Sequence, residues 1–320
     1  MGMKVAVTGC AGFIGSHLVD ELLRRGTEVI GLDNLSSGSM VNLASAKEDE
    51  DFTLVEGDIL SDEDLEEAFE GVDTVYHIAA NPDVRAGVTD TQTHLNQNII
   101  GTCNVLEMMR KKKIKNISFT STSTVYGEAR KIPTPEDYGP MIPISLYGAS
   151  KLACDALISS YCYTFDMKSW IFRFANVVGS RSGHGVIHDF ISKLEKDSSQ
   201  LEILGLSPGT LKSYCHVSDC IEAMLSVEKT CNEQVGIYNI GSQDLLDVKT
   251  IADIVVEAMK LNYVKYSWTG GIDGGRGWVG DVRKMQLSIN KIKSEGWTPK
   301  MNSEQAVRTA VAELLKEKFG

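Results

Sequence analysis

Residues 8–15 read Thr-Gly-Cys-Ala-Gly-Phe-Ile-Gly, and this stretch decides the fold class that we predict for the chain. Its glycines, Gly9, Gly12 and Gly15, follow an apolar run at residues 4–7 and lead into a helical pattern. Glycines in such a turn let the backbone approach a pyrophosphate, while the N–H groups of the helix point at its charge. The stretch therefore predicts a strand, a turn and a helix that together bind a dinucleotide.

Strand-like runs alternate with helical patterns beyond this turn. We predict further strands at 28–33, 52–55, 74–78, 116–121 and 169–174, and helices that include 61–69, 93–112 and 147–165. Such alternation implies β-α-β units, right-handed crossovers and a doubly wound parallel sheet. The predicted fold class is therefore α/β of the Rossmann type, with ligands bound beyond the carboxyl ends of the strands.

The alternation changes after residue 179. Residues 180–213 are rich in glycine, serine and histidine, and residues 237–241 read as one more strand that returns to the main sheet. Thr250 and Ser303 are predicted to cap the two helices that follow. We expect a cofactor-binding domain of residues 1–179 plus about 214–244, and a smaller C-terminal substrate-binding lobe of about 180–213 plus 245–320.

Composition limits the classes of partner. The chain has 320 residues, of which 42% are hydrophobic, and a formal net charge of −11. This acidic balance disfavours nonspecific binding to nucleic acid or to an anionic membrane, and no apolar run approaches the roughly 18 residues of a membrane helix. The seven cysteines are scattered and include no C-x-x-C pair. That pattern favours reduced thiols in a cytoplasmic protein over disulfides or a metal site.

Acidic residues after the second and third strands indicate which dinucleotide is bound. Asp33 lies 18 residues beyond Gly15, at the end of the second strand. A carboxylate there accepts hydrogen bonds from both ribose hydroxyls of NAD and repels the additional phosphate of NADP. Asp58 and Ile59 follow the third strand in the form of an adenine contact. Solvated loop acids are the alternative for both aspartates; we expect NAD as the cofactor.

Tyr147 and Lys151 form a candidate catalytic pair. They are four residues apart on a predicted helix and so share a face. A tyrosine with a pKa of about 10 becomes a base at neutral pH only beside positive charge. Lys151 and a cationic nicotinamide ring can supply this charge. Thr122 and Ser123, after the fifth strand, offer hydroxyls to a substrate alcohol. A surface helix pair and a turn rich in Ser and Thr are the alternatives.

Together these motifs resemble the extended short-chain dehydrogenase/reductase family. The resemblance covers nearly the whole chain and rests on the glycine turn, Asp33, residues 77–80, the Ser-Thr-Ser-Thr-Val-Tyr-Gly stretch at 121–127, and 147–151. Residues 172–179 and the later Gly-Asp pair resemble its nucleotide-sugar branch. The resemblance implies NAD-dependent 4-epimerisation of a UDP-hexose, UDP-glucose or UDP-galactose, in which hydride leaves C4 and returns to the opposite face of the sugar.

The resemblance also implies roles for individual residues. Tyr147 would be the base, Lys151 its electrostatic partner, and Thr122 the Ser/Thr position of the family. The implied cofactor residues are Gly9, Gly12, Phe13, Ile14, Gly15, Asp33, Asn34, Asp58, Ile59, Ala79, Ala80, Asn98, Tyr147, Lys151 and Phe174. The implied substrate residues are Thr122, Ser123, Asn176, Val186, Lys212 and Arg276, and no metal site is expected.

The chain departs from its relatives at several of these positions. Sugar dehydratases and decarboxylases of the family carry an acid where Thr124 stands, and the dehydratases have Asp where Ser123 stands, so epimerisation or simple redox is favoured here. Lys212 replaces a common arginine. Arg276 lies two residues further from Asp281 than in the usual R-x-G-D form. Exposed loop cations are the alternative reading of both basic residues.

Other functions stay open at this point. The same pair could serve another nucleotide-sugar epimerase or reductase, acting on N-acetylated, uronate or dTDP-linked sugars, and Met285 lies near the position that gates the sugar pocket in the family. A non-catalytic NAD-sensing protein is a further alternative. The resemblance implies a homodimer whose seam is formed by the helices near 93–112 and 147–165.

Overall fold

The computed structural model describes residues 3–320, so residues 1 and 2 of the first expected domain lie outside it. Its strands are β1 Lys4–Thr8, β2 Glu28–Asp33, β3 Phe52–Glu56, β4 Thr74–His77, β5 Asn116–Thr122, β6 Lys168–Phe174, β7 Asn176–Val178, β8 Gln200–Ile203, β9 Leu211–Lys212, β10 Tyr214–His216, β11 Val235–Ile240, β12 Leu246–Asp247, β13 Lys265–Trp268 and β14 Lys284–Met285.

A seven-stranded parallel sheet forms the centre of the molecule, in the order β11-β6-β5-β4-β1-β2-β3. The chain runs outward from β1 in one direction through β2 and β3, then returns to build the other half from β4. This order confirms the doubly wound fold, and the strand predicted at 237–241 joins the sheet beside β6. Because the direction of winding reverses between β1 and β4, a crevice opens at their carboxyl ends.

Helices cover both faces of this sheet. They are α1 Phe13–Arg24, α2 Asp62–Ala68, α3 Ala86–Thr89, α4 Thr91–His94, α5 Gly101–Lys112, α6 Leu146–Phe165, α7 Val186–Lys196, α8 Val217–Thr230, α9 Val248–Ala258, α10 Asn290–Ser294 and α11 Ser303–Phe319. Short 3₁₀ turns lie at Met40–Leu43, Ala46–Glu48 and Ser123–Tyr126. The helix predicted over 93–112 contains a π-helical segment at Leu95–Ile100, which precedes α5 directly.

Two predicted helix caps are wrong. The cap of α9 is Asp247, whose carboxylate accepts from the backbone N–H of Thr250, so Thr250 lies inside the first turn. The cap of α11 is Asn302, which forms a capping box with Gln305, and Ser303 is the first helical residue. Asp and Asn cap helices as well as Ser and Thr do, so the type of residue alone did not identify the cap.

Apolar clusters lie on the two faces of the sheet. One face packs α1 and α8 against β1, β6 and β11, and the other packs α2, α5 and α6 against β1, β4 and β5. A third cluster joins α7, α9 and α11 away from the main sheet. The two covered faces explain why the inner strands are nearly all apolar, as expected of a parallel sheet.

One buried carboxyl makes the stability of this fold depend on pH. The carboxylate of Glu228, on α8, accepts from the hydroxyl of Tyr76 at 2.6 Å, and its other oxygen is buried without a partner. Burial raises the pKa of Glu228 to about 7. In the unfolded chain the same carboxyl has a pKa of about 4.3. The folded state therefore loses stability as the pH rises from the unfolded pKa to the folded pKa.

We therefore expect Glu228→Gln to raise the free energy of unfolding by about 2–3 kcal/mol at about pH 8, and by much less at about pH 5. Urea unfolding at both pH values measures this. Glu222→Gln is the control, because Glu222 lies on the same helix with its side chain 42% exposed. An equal gain at both pH values for Glu228→Gln would contradict the assignment.

Candidate active site

The glycine turn brings three backbone segments into direct contact. Gly9 has φ +72°, and a Cβ atom on it would lie 2.7 Å from the backbone nitrogen of Ala79. A Cβ on Gly15 would lie 2.0 Å from the carbonyl oxygen of Gly9. Because no side chain fits at these points, the turn leaves the N-terminus of α1 open, and its first turn contains no acidic residue. This cradle fits the pyrophosphate of a dinucleotide.

Polar groups at the ends of β2 and β3 lie beside this cradle. The carboxylate of Asp33, only 8% exposed, accepts from the backbone N–H groups of Ala11 at 2.9 Å and Leu35 at 2.8 Å. Asn34 donates to the carboxylate of Asp58 at 2.8 Å. The structure therefore brings together the predicted residues Asp33, Asn34 and Asp58, and Asp33 also fixes the glycine turn.

Tyr147 and Lys151 lie at the start of α6, as their spacing predicts. Ser145 caps this helix by accepting from the N–H of Gly148 at 3.0 Å. The Thr122 side chain lies close enough to the Tyr147 hydroxyl to lower its pKa, and the Thr122 hydroxyl lies 3.2 Å from that of Thr124. Lys151, 2% exposed, donates to the carbonyl of Thr120 at 2.8 Å. The predicted base, lysine and hydroxyl thus meet at the carboxyl end of β5.

Burial acts in opposite directions on the two members of the pair. It raises the pKa of Tyr147 to about 12, although the nearby Thr122 side chain lowers it, and it lowers the pKa of Lys151 to about 8. A phenol in this environment stays protonated until positive charge is supplied nearby. The site therefore needs a charged Lys151 and a cationic ring beside Tyr147 to produce a base near neutral pH.

The π-helical segment places a further residue against α6. Asn98 donates to the hydroxyl of Ser150 at 2.9 Å and accepts from the backbone N–H of Asn81 at 2.8 Å. It thereby joins the segment after β4 to the helix that carries Tyr147 and Lys151. The ring of His94, one turn earlier, meets the ring of Tyr147 edge-on with 5.7 Å between centroids. Asn98 is among the cofactor residues predicted from the sequence, whereas His94 is not, because no local motif gives a signal for it.

The other predicted cofactor residues lie on several elements around the main sheet. Ala79 donates its N–H to the hydroxyl of Thr8 at 3.3 Å, and Ala80 follows it beyond β4. Ile59 packs against Gly101 at the start of α5. Phe174 ends β6 and is 4% exposed within the core. Phe13 and Ile14 form the first turn of α1 and pack against the apolar cluster of that face.

Both cations that we predict to bind phosphate contact the same residue, Asp281. Lys212 forms an ion pair with the carboxylate of Asp281 at 2.6 Å. Arg276 donates to the backbone carbonyl of Asp281 at 2.6 Å and pairs with the carboxylate of Glu128. Both cations are largely buried, so they are not exposed loop residues. Sequence reasoning missed Glu128, because its contact with Arg276 spans 148 positions of the chain.

The remaining predicted substrate residues lie on separate elements. Asn176, on β7, donates to the carbonyl of Ser213 at 3.1 Å, which holds β7 beside β10. Val186 is the first residue of α7. Ser123, 7% exposed, begins the 3₁₀ turn that follows Thr122. Of these three residues, only Ser123 is next in sequence to Thr122, which lies near Tyr147.

A buried ion pair anchors the helix that carries the pair. Arg173, on β6, donates to the carboxylate of Asp155 on α6 at 3.0 Å, and both side chains are at most 5% exposed. Arg173 also donates to the hydroxyl of Tyr126 at 2.9 Å. Because Asp155 lies one turn after Lys151, this contact fixes α6 against the sheet close to the site.

Removing one member of this pair is expected to be costly. Asp155→Ala leaves the Arg173 guanidinium buried without its carboxylate, which we expect to lower the free energy of unfolding by about 3–5 kcal/mol. Glu304→Ala removes an exposed ion pair with Arg308 and should cost less than about 1 kcal/mol. Chemical denaturation of both variants measures the difference. Equal losses would show that the buried pair does not anchor α6.

Residues 3–320 contain neither a candidate metal site nor a helix that could span a membrane. No group of three or more His, Cys, Asp or Glu side chains in this range is arranged to hold a metal ion. Likewise, none of the helices in this range has the length and apolar character needed to cross a membrane.

The fold and the site together define an NAD-dependent enzyme with a Rossmann domain and a Tyr/Lys pair. Residues 5–241 match the NAD dependent epimerase/dehydratase family, and the chain belongs to that family of nucleotide-sugar enzymes. This membership confirms the resemblance to extended short-chain dehydrogenases/reductases and NAD as the cofactor.

Similar proteins act on several nucleotide sugars. The chain is 30% identical to a UDP-glucose 4-epimerase of Corynebacterium glutamicum, over 93% of this chain and 91% of that protein. The crystal structure of a UDP-galactose 4-epimerase is 38% identical and has a TM-score of 0.86, covering 98% of this chain and 99% of the other. A UDP-glucuronic acid 4-epimerase of Bacillus cereus, solved with UDP-glucuronic acid and NAD, is 26% identical with a TM-score of 0.88, covering 99% and 100%.

Proposed function

We propose that this chain catalyses the NAD-dependent 4-epimerisation of a UDP-hexose, UDP-glucose or UDP-galactose. The observation that carries the proposal is the Thr122 side chain close to the Tyr147 hydroxyl, with a buried Lys151 one turn along the same helix and with hydroxyls and no carboxylate at positions 123 and 124. NAD, when bound, supplies a reversible hydride acceptor for C4 of the sugar. The chain must supply a proton acceptor for the 4-hydroxyl, together with groups that hold the sugar in place.

Tyr147 is the proposed proton acceptor. Its hydroxyl lies near Thr122, at the carboxyl end of β5, and the positive charge of Lys151 favours the phenolate over the phenol. The Thr122 hydroxyl lies near the same point, so it can position the sugar hydroxyl and share its proton. The glycine cradle, Asp33 and Asp58 are the proposed contacts of the pyrophosphate, ribose and adenine.

The absence of an acid beside Thr122 separates epimerisation from related reactions. Elimination of water requires a proton donor for the leaving hydroxyl, and the family's dehydratases and decarboxylases have an acid at the position of Thr124. Here Ser123 and Thr124 have hydroxyls with no useful acidity near neutral pH. These residues support a reaction that removes and returns one hydrogen without expelling a group.

Lys212 and Arg276 are the proposed diphosphate contacts, with Asn176 and Val186 at the sugar-nucleotide end. In the structure Asp281 and Glu128 neutralise these cations, so a diphosphate must replace part of these contacts when it binds. Lysine lacks the bidentate geometry of arginine, so Lys212 acts on phosphate as a point charge.

The identity of the sugar is tested by a panel of substrates. We expect the purified enzyme to interconvert UDP-glucose and UDP-galactose faster than the N-acetylated, uronate, dTDP-linked or GDP-linked analogues, with products separated by chromatography. Met285 is 8% exposed and pairs with Lys212 across two short strands, so it lies near the proposed substrate end. Preference for an N-acetylated or uronate sugar would favour another epimerase. Binding of NAD with no turnover of any sugar would favour an NAD-sensing protein.

We also propose a homodimer that works in the cytoplasm. The last turn of α6 exposes the side chains of Tyr163 and Phe165, at 69% and 37%, in the region expected to form the seam. All seven cysteines are free, and six of them are buried, as suits a reducing compartment. Light scattering of the purified protein tests the dimer, because a monomer at all concentrations would exclude it.

A further inference from the structure

The ring of Phe119 lies against the ammonium group of Lys151. Phe119 is on β5, fully buried, and the Lys151 Nζ atom is 4.5 Å from its ring centroid. The same nitrogen donates to the carbonyl of Thr120, the next residue of the strand, at 2.8 Å. Two consecutive residues of β5 therefore provide a carbonyl and an aromatic ring to one buried cation.

The groups around this ammonium do not provide it with a dedicated negative charge. The charge of Asp155, one turn along α6, raises the pKa of Lys151, but the Asp155 carboxylate forms its ion pair with Arg173, at 3.0 Å. Burial raises the pKa of the nearby Cys154 thiol, which keeps it neutral. Tyr147, on the same face of α6, is a neutral phenol until the site is charged. The carbonyl and the ring are thus the direct stabilising contacts of a cation whose pKa burial lowers to about 8.

A second ring beside Phe119 is also uncharged. His77 lies between the hydroxyls of Thr8 at 2.8 Å and Thr102 at 2.9 Å, and its ring is 5.5 Å from that of Phe119. Burial lowers the pKa of His77 to about 3, so the imidazole stays neutral and does not repel Lys151. The π face of Phe119 consequently attracts one cation without competition from a second.

We propose that Phe119 is a positioning residue for the reaction, whose ring holds the Lys151 ammonium charged and in place at the carboxyl end of β5 by a cation–π interaction. The face of an aromatic ring attracts a cation, and the attraction is larger when both groups are out of water, as they are here. A role in core packing alone would require only the volume and shape of the ring. A cation–π interaction also requires the π-electron density of the Phe119 ring.

This inference rests on the proposed function only for its catalytic consequence. A charged Lys151 favours the Tyr147 phenolate, so loss of the ring's attraction should deplete the active form at alkaline pH. The charge state of Lys151 itself can be measured in NAD-loaded enzyme without any sugar. Failure of the proposed function and failure of this inference are therefore distinguishable.

Fluorinated phenylalanines at position 119 provide the test, because they keep the shape of the ring while withdrawing its π electrons. We expect the pKa of Lys151 to fall step by step through the mono-, di- and trifluoro variants, by about half a unit or more in total. Proton NMR of enzyme labelled with ¹³C at the lysine ε-carbon measures it, and loss of one resonance in Lys151→Arg assigns the signal. The alkaline limb of kcat should move to lower pH in parallel, with KM unchanged.

Two further variants separate electrostatics from packing. Phe119→Met keeps most of the buried volume without a ring, and should lower the Lys151 pKa at least as far as the trifluoro variant. Phe172→Leu is the matched control, since Phe172 is equally buried on β6 but packs against Tyr238 and not against a lysine. We expect it to lose stability while Lys151 titrates as in the wild type. A Lys151 pKa that does not change across the fluorinated series would overturn the proposal.

Discussion

Replacing Tyr147 with phenylalanine is expected to abolish epimerisation while NAD stays bound. The variant keeps the aromatic ring and its edge-on contact with His94, so the start of α6 should be unchanged. It removes the only atom of this side chain that can accept the proton of the sugar hydroxyl. General base catalysis contributes about 10²–10⁴-fold, so we expect kcat to fall by about three orders of magnitude or more.

A coupled assay of UDP-galactose conversion measures this loss, and the absorbance of nucleotide released on denaturation measures bound NAD. Tyr163→Phe is the matched control, because Tyr163 lies on the same helix and is 69% exposed. It should retain wild-type turnover. A Tyr147→Phe enzyme that turns over within about tenfold of the wild type would refute Tyr147 as the base.

Gly15→Ala is expected to destroy tight binding of NAD. The new Cβ would lie 2.0 Å from the carbonyl oxygen and 2.8 Å from the carbonyl carbon of Gly9. These are backbone atoms held by the contact of Gly9 with Ala79, so the turn must open for the methyl group to fit. Overpacking of this kind costs about 1–3 kcal/mol or more, which corresponds to a loss of affinity of about 100-fold.

Calorimetry of NAD binding to the stripped protein measures this effect, and the midpoint of thermal unfolding should also fall. Gly26→Ala is the control at the other end of the same helix. Gly26 has φ +74°, but no atom lies within 4 Å of a Cβ placed there. That variant should cost about 1–2 kcal/mol of stability through backbone strain and leave the affinity for NAD unchanged. Equal affinity of the Gly15→Ala variant and the wild type would contradict the cradle.

The parallel α/β sheet and the placement of Tyr147 and Lys151 on one helix could be predicted because their signals are local. The glycine turn, the apolar runs and the four-residue spacing of Tyr147 and Lys151 each lie within one short stretch of sequence. The end of β5 then had to face the start of α6, since parallel strands place their carboxyl ends at one edge. The contact of Thr122 with Tyr147 follows from that edge and needs no further information.

Partners that are distant in sequence could not be predicted in this way. Phe119 reads as an ordinary core residue of β5, and only the approach of α6 reveals that it contacts Lys151. Glu128 and Arg276 are 148 residues apart, and no periodicity connects them. The π-helical segment before α5 has a helical apolar pattern like its neighbours, so its widened turn, which lets Asn98 reach Ser150, became apparent in the structure alone.

The surroundings of Tyr147 and of Lys212 differ, and the difference suits proton transfer at one end of the site and phosphate binding at the other. Near Tyr147 the crevice is lined by hydroxyls and a single buried ammonium, which suits movement of one proton. Near Lys212 two cations are already paired with carboxylates, which suits exchange of ion pairs for a diphosphate. Under the proposed function, the sugar nucleotide is held by its phosphates while the two faces of C4 are presented in turn to the same nicotinamide.

The measurement that tests the central claim most directly follows the hydrogen at C4 of the sugar. UDP-galactose with deuterium at C4 is incubated with the enzyme in ordinary water, and the UDP-glucose formed is analysed by mass spectrometry and NMR. We predict that the product retains deuterium at C4, because the hydrogen is removed as hydride and returned within one active site. Replacement of that deuterium by solvent hydrogen would contradict the account, and so would formation of no epimer.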